Sequence, residues 1–306
     1  MNTINGWLLV DKQVGITSRK IVDIISKSIK HKKVGHAGTL DPMASGLLAV
    51  AIGEATKTVF LIQNMKKVYE FKVRWGISTS TDDIEGEVIS RSSNRPTEKQ
   101  ILDLIPKFIG KLEQRPPAYS AIKINGIRSY KYARQNKEIN HKPRSIIISD
   151  LKLKKHLDES HSIFEIICSK GTYVRSVARD LGKRLNTEAH VIELRRKAIG
   201  KFSVKNAILL DLSSKLIHSP LILKNMMSMR DVLEVLPSID LTKEEANKIK
   251  YGQGLILNEI KQFNNFISNY PNFSEIESLY CTNSNVPIAL LKIYKNMIKP
   301  VKVFNV

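Results

Sequence analysis

The run LLAVAIG, residues 47–53, is apolar at six consecutive positions before its glycine, the pattern of a β-strand buried on both faces. A strand of that kind belongs in a sheet covered from above and below. GWLLVDK reads as a second short buried strand. VYEFKVRWGIS, SIIISDLKLKKH and SIFEIIC have strand character, with polar and apolar residues alternating where one face meets a core. Helical patterns fall unevenly between these runs. Ile21, Val22, Ile25 and Ile29 recur at helical spacing behind a Thr17 or Ser18 cap, and the helix ends in KHKK. EATKTVFLIQ also reads as helical. PTEKQILDLIPKFIGKL is an amphipathic helix that Pro106 breaks or kinks, and TYVRSVARDLGKRL places Val174, Val177, Ala178, Leu181 and Leu185 on one face. Strands and helices therefore mix without strict βαβ alternation. The expected class is α+β, with a mixed, mostly antiparallel central sheet flanked by helices and a small C-terminal β-rich domain.

The boundary of that second domain is placed at VLPSIDL, residues 235–241, where a proline precedes a new helix and Thr242 and Glu245 have capping-box spacing. Residues 1–236 form the first domain on this reading, and residues 237–306 the second. The tail is rich in Asn, Ile and Lys and closes with two strand candidates, PIALLKIY and MIKPVKVF.

Charge narrows the partner. Lys and Arg total 49 against 29 Asp and Glu, a net +20, so a polyanion is attracted strongly and in a salt-sensitive way. Nucleic acid is the expected partner. No apolar run is long enough to span a bilayer, and the N-terminus lacks the charged start and long apolar core of a signal peptide, so no membrane role and a cytoplasmic location are expected. Cys168 and Cys281 lie far apart with no CxxC, and no His cluster has metal-ligand spacing, so neither a disulfide framework nor a metal is expected. Cys168 reads as a buried strand residue. Nothing in the sequence demands more than a monomer.

One acid stands out against this basic background. In GHAGTLDPMASG, residues 35–46, Asp41 precedes Pro42, which disfavours helical geometry and leaves the carboxylate projecting from a glycine-rich loop. A turn residue, a nucleophile, a general base and a metal ligand all remain open for it. No second acid stands out in the loop, as acid–base or metal chemistry usually requires. DDIEGE, residues 82–87, reads as a solvated turn, and GEATKT lacks the second glycine of a phosphate-binding loop. Arg175 is informative because it falls in the first turn of its helix, where the dipole disfavours a cation. A carboxylate or phosphate from elsewhere would account for it, and an Arg–Asp pair would hold that acid ionised and oriented. Tyr69, Tyr119, Tyr130, Tyr132 and Tyr173 lie in or beside basic segments, as bases stacked on aromatic faces require. Pro116 and Pro117 open the stretch QRPPAYSAIKINGIRSYKYARQ, read as a surface segment.

The segments DKQVGITS, VGHAGTLDPMASGLL, VYEFKVRWG, RPPAYSAIKINGIRSYKYAR, GTYVRSVARDLG and AHVIELRRKAIG resemble, in order and spacing, those of the TruB-type tRNA pseudouridine synthases. The closing segment is similar to the family's short PUA-like RNA-binding domain through LTKEEANKIKYGQG and IKPVKVF. The resemblance implies isomerisation of uridine to pseudouridine at position 55 in the T-loop of tRNA, by base flipping, with no cofactor and no metal. It implies tRNA, through T-loop and stem, as the partner. Asp41 matches the catalytic aspartate, Arg175 the arginine paired with it, and Tyr69 the tyrosine that stacks on the flipped base and assists loss of the C5 proton. Tyr173 and Leu194 match pocket positions, His36 a histidine that contacts the T-loop, and Lys12 a lysine near the first motif. Two other classes stay in view: a non-catalytic RNA-binding or tRNA-folding protein, and a glycosylase that releases free base.

Overall fold

The computed structural model describes residues 4–306 apart from 125, 134, 136–138, 140, 211–218 and 273–274. Positions 125 and 134 of the basic tyrosine stretch therefore lie outside the described residues. The chain opens with β1 (Gly6–Lys12), α1 (Ser18–Ser28), β2 (Val34–His36), β3 (Ala44–Ile52), α2 (Val59–Asn64) and β4 (Lys67–Trp75). A hairpin of β5 (Ile77–Thr79) and β6 (Val88–Arg91) follows, then α3 (Glu98–Leu104) and β7 (Gly110–Gln114). The tyrosine stretch holds a small hairpin, β8 (Lys123–Ile124) and β9 (Ile127–Arg128), and α4 (Ser129–Ala133). Next come β10 (Arg144–Asp158), β11 (His161–Cys168), α5 (Val174–Arg184), β12 (Ala189–Ile199), β13 (Phe202–Ser203) and β14 (Ile208–Leu209). The remainder comprises α6 (Ser219–Lys224), α7 (Met229–Leu233), β15 (Ser238–Asp240), α8 (Lys243–Lys250), β16 (Leu255–Ile256), α9 (Phe263–Asn269), β17 (Ser278–Asn283), β18 (Val286–Tyr294) and β19 (Met297–Val303).

The main sheet has the order β14-β1-β3-β12-β4-β11-β10-β7, with β2 added to β3 and β13 to β12. Within this sheet, among the described residues, β1·β14 and β3·β12 alone pair in parallel, so the fold is α+β with a mostly antiparallel sheet. The continuous apolar run of β3 has its reason here. Leu48, Val50 and Ile52 pack under α1 with Ile21, Val22 and Ile25, while Leu47, Ala49 and Ala51 face the opposite layer with Leu61, Ile62 and Val232. Helix α5 covers a third region, setting Val174, Val177, Ala178 and Leu181 on Phe71, Val73, Trp75 and Phe164. Leu185 packs only partly buried at its edge. Thr17, rather than Ser18, caps α1, accepting from the Lys20 amide at 3.1 Å.

A second, five-stranded sheet of order β15-β17-β18-β19-β16 occupies the C-terminal part. Its α8 has the expected Thr242/Glu245 capping box. Tyr280, Leu290 and Phe304 of this part share a core with Trp7, Ala55 and Leu61 of the main sheet's layer. Glu54 closes the seam: its carboxylate accepts from Lys33 at 2.7 Å, Lys57 at 2.5 Å and the Asn305 amide at 2.9 Å.

Two local expectations are corrected. The amphipathic helix does not run through to Leu112. It ends at Leu104, tightens into a 3₁₀ turn over Ile105–Phe108 at Pro106, and becomes strand β7, which pairs with β10. Gly110, at φ +110°, makes the reversal possible, and the unpaired edge of β10 supplies the partner. The second correction concerns DDIEGE. Asp83 is buried, because the hairpin β5–β6 folds back against β12 and bridges Asp83 to Val191.

Candidate active site

The loop between β2 and β3 carries Asp41 between two pinned neighbours. Leu40 exchanges hydrogen bonds with the Ser18 hydroxyl at the start of α1, at 2.9 and 3.0 Å. The Pro42 carbonyl accepts from the Gly15 amide at 2.9 Å and from Lys12 Nζ at 3.3 Å. The carboxylate is therefore held by the backbone on either side, and its side chain is 33% exposed.

Arg175 meets it from α5. The backbone of Tyr173, which begins the helix, is clamped by the Gln114 side chain, whose Oε1 accepts from its N–H at 2.8 Å and whose Nε2 donates to its C=O at 3.0 Å. Arg175 is 4% exposed in its side chain. Its Nε lies 2.9 Å from Asp41 Oδ2, an ion pair outside the angle of a directed hydrogen bond. Nη1 donates to the Thr81 carbonyl at 2.8 Å and Nη2 to the Tyr119 carbonyl at 2.9 Å. Asp83, 3% exposed in its side chain, adds a second carboxylate, with Oδ2 3.2 Å from Nη1. A cation against the positive end of the helix is thus offset by two acids and two carbonyls. One turn further on, Arg179 pairs with Asp82 at 2.7 Å and fixes the same acidic loop.

The acids and bases of the cluster shift one another. Burial, reinforced by Asp83, raises the Asp41 carboxyl above its ordinary range, while Arg175 and Lys12 oppose the rise. Burial lowers the Lys12 ammonium to about 8, against the attraction of Asp41 and Glu85. Its Nζ also donates to the carbonyls of Ile16 at 2.7 Å and Gln13 at 2.9 Å. Burial and the nearby Arg196 charge lower the His36 imidazole, and its Nδ1 is buried with no partner among the described residues. The Tyr69 and Tyr173 phenols are both raised, chiefly by burial, and both feel the Asp41 charge.

The strands place the rest by register. On β12, Leu194 and Arg196 share one face, with Leu194 beside Ala44 and Phe71 and Arg196 beside Gly46 and Tyr69. Leu194 is buried in the core under α5. Asp41, Arg175, Lys12, Tyr69 and Tyr173 thus form one electrostatic cluster, with His36 linked to it through Arg196. Asp83 and Arg196 belong to this cluster as well, and the sequence reading missed both as site residues. Among the described residues no three His, Cys, Asp or Glu side chains gather as a metal site, and no helix is long and apolar enough to cross a membrane.

A profile of the TruB family pseudouridylate synthases (N-terminal domain) matches residues 26–174. The tRNA pseudouridine synthase B of Ehrlichia ruminantium is 40% identical over 98% of this chain and 99% of its own length. The chain belongs to the TruB family. Another TruB-family relative, the tRNA pseudouridine synthase B of Roseobacter denitrificans, is 44% identical over 83% of this chain and 84% of its own. In fold, this TruB-family chain matches a Cbf5–Nop10–Gar1 complex structure with a TM-score of 0.70 at 22% identity, over 97% of this chain and 83% of the other. A structure of an H/ACA RNP bound to a substrate RNA containing 2′-deoxyuridine gives the same TM-score at 20% identity, covering 98% and 84%.

Proposed function

We propose that this protein isomerises uridine to pseudouridine in tRNA, at position 55 of the T-loop, with Asp41 as the catalytic nucleophile. The observation that carries the reading is the buried Arg175 pairing with Asp41, on a loop pinned at Leu40 and Pro42. Full-length identity to relatives named tRNA pseudouridine synthase B supports the reaction and its substrate.

The chemistry follows from what the residues can do. A uridine within a folded tRNA is out of reach, so the base leaves its stack for the pocket, and aromatic and cationic contacts offset the cost of unstacking. Tyr69 offers the stacking face, while Tyr173 and Leu194 form the walls. The N1–C1′ bond breaks with its electron pair on uracil, the ring turns, C5 joins C1′, the C5 proton leaves and N1 takes one up, and the bond that Asp41 forms, to C1′ or to C6, breaks again before the product departs. Asp41 serves as covalent nucleophile, and a single carboxylate suffices because the uracil is kept and reused rather than displaced by activated water. Arg175 keeps Asp41 ionised against its burial. Lys12 buttresses the Pro42 side of the loop, and His36 faces the T-loop.

The net charge of +20 supplies phosphate attraction for T-loop and stem. Residues 1–236 act on this reading as the catalytic domain and 237–306 as a PUA-like RNA-binding domain of a monomeric, cytoplasmic enzyme. Asp41→Asn is expected to abolish pseudouridine formation while tRNA binding stays within about 3-fold, since charge and shape of the docking face are retained. Unchanged turnover by that variant would refute the nucleophile assignment, and full binding without product by the native protein would favour an RNA-folding role.

A further inference from the structure

Arg196 is 1% exposed, and no carboxylate makes an ion pair with it among the described residues. Its Nε donates to the Leu47 carbonyl of β3 at 2.7 Å, its Nη2 to the Gly38 carbonyl at 3.1 Å, and its Nη1 reaches the Tyr69 hydroxyl at 3.4 Å. The guanidinium carbon stands 5.9 Å from the centre of the Tyr69 ring. One side chain therefore ties together the strand after the catalytic loop, the loop itself three residues before Asp41, and the tyrosine.

The backbone around it is closely packed. Gly46 has φ +100°, and a Cβ there would lie 2.3 Å from the Arg196 carbonyl oxygen. Gly38, also at φ +100°, would set a Cβ in ordinary van der Waals contact with Arg196 Nη1, at 3.7 Å. A buried cation without a carboxylate is costly, and an apolar side chain would fill the space at less expense, so packing alone does not account for it.

We propose that Arg196 is a positioning residue for Tyr69, bracing the phenol against the Asp41 loop and setting the sense of its hydrogen bond. Guanidinium groups carry only donors, so the Tyr69 oxygen accepts from Arg196 and its own proton is turned away from the guanidinium. The inference rests on the isomerase reading proposed above.

The test is a double-mutant cycle on unmodified tRNA transcript, with Arg196→Lys and Arg196→Gln combined with Tyr69→Phe. Arg196→Lys is expected to lower kcat about 10-fold and Arg196→Gln about 100-fold, with KM within about 2-fold, because orientation rather than binding is lost. In the Tyr69→Phe background, which has no hydroxyl to orient, the Arg196→Lys loss shrinks to about 2-fold. An equal factor in both backgrounds overturns the proposal, as does unchanged kcat in Arg196→Lys. Thermal melting checks that each variant folds, and if Arg196→Gln does not, the lysine cycle alone decides. Absence of pseudouridine with the native protein would instead refute the isomerase reading.

Discussion

Asp83→Asn separates the two carboxylates that flank Arg175 with little change of shape. Asp83 Oδ1 accepts from the Thr81 hydroxyl at 2.5 Å and the Glu85 amide at 3.0 Å, and an asparagine oxygen can keep both. Oδ2, 3.2 Å from Arg175 Nη1, becomes an amide donor facing another donor. The variant therefore loses one charge-assisted contact, about 1.5–3 kcal/mol. The larger cost of a stranded buried charge, about 3–5 kcal/mol, does not apply, since Arg175 keeps Asp41 and the Thr81 and Tyr119 carbonyls. A loss near 2 kcal/mol lowers the melting temperature by roughly 3 °C in a protein of this size. The same substitution moves a titration. Asp83 helps to raise the Asp41 carboxyl, so its removal lets Asp41 ionise at lower pH and shifts the acid limb of the kcat profile downward. Calorimetry and a pH–rate profile read both effects. An unchanged melting temperature together with an unmoved or upward-moving acid limb would refute the assigned role of Asp83.

Glu54→Gln loosens the seam between the two sheets. Burial works to raise the Glu54 carboxyl, yet Lys33, Lys57 and the Asn305 amide bring it down to about 2. A depressed carboxylate stabilises the fold above its unfolded pKa near 4.5, and that stability is lost as pH falls toward about 2. The native protein should out-melt Glu54→Gln at neutral pH, with the gap closing across that window; a constant gap would contradict the account. Gly46→Ala puts a Cβ 2.3 Å from the Arg196 carbonyl at φ +100°, so soluble yield should collapse or the melting temperature fall by more than about 6 °C. Binding to tRNA should weaken at least 10²-fold or so between 50 and 200 mM salt, and a flat response would rule out the basic docking face.

What the sequence disclosed, and what it hid, has physical reasons. Asp41 was legible because Pro42 fixes its backbone, and Arg175 because a first-turn cation is out of place without an anion. Asp83 was not, since DDIEGE places it among other acids, and only the return of the β5–β6 hairpin brings it to a helix more than 90 residues further along the chain. Arg195 and Arg196 look alike as neighbours. Strand alternation sends Arg195 to Asp11 and Arg196 inward beside Tyr69, and the face shared with Leu194 was the signal that could have singled it out. The strand at Gly110–Gln114 was hidden because pairing with β10 outweighs a helical pattern of apolar residues. In the tail, β18 and β19 were readable from their apolar runs, whereas the two- and three-residue strands β16 and β15 exist only through their partners.

The role proposed for the Asp41–Arg175 pair is isomerisation of a uridine in tRNA. The most direct measurement maps pseudouridine along an unmodified tRNA transcript after incubation with the native protein and with Asp41→Asn. One new pseudouridine at position 55 of the T-loop with the native protein, and none with the variant, is the predicted result. Pseudouridine formed equally by both proteins, or free uracil in place of pseudouridine, would contradict it.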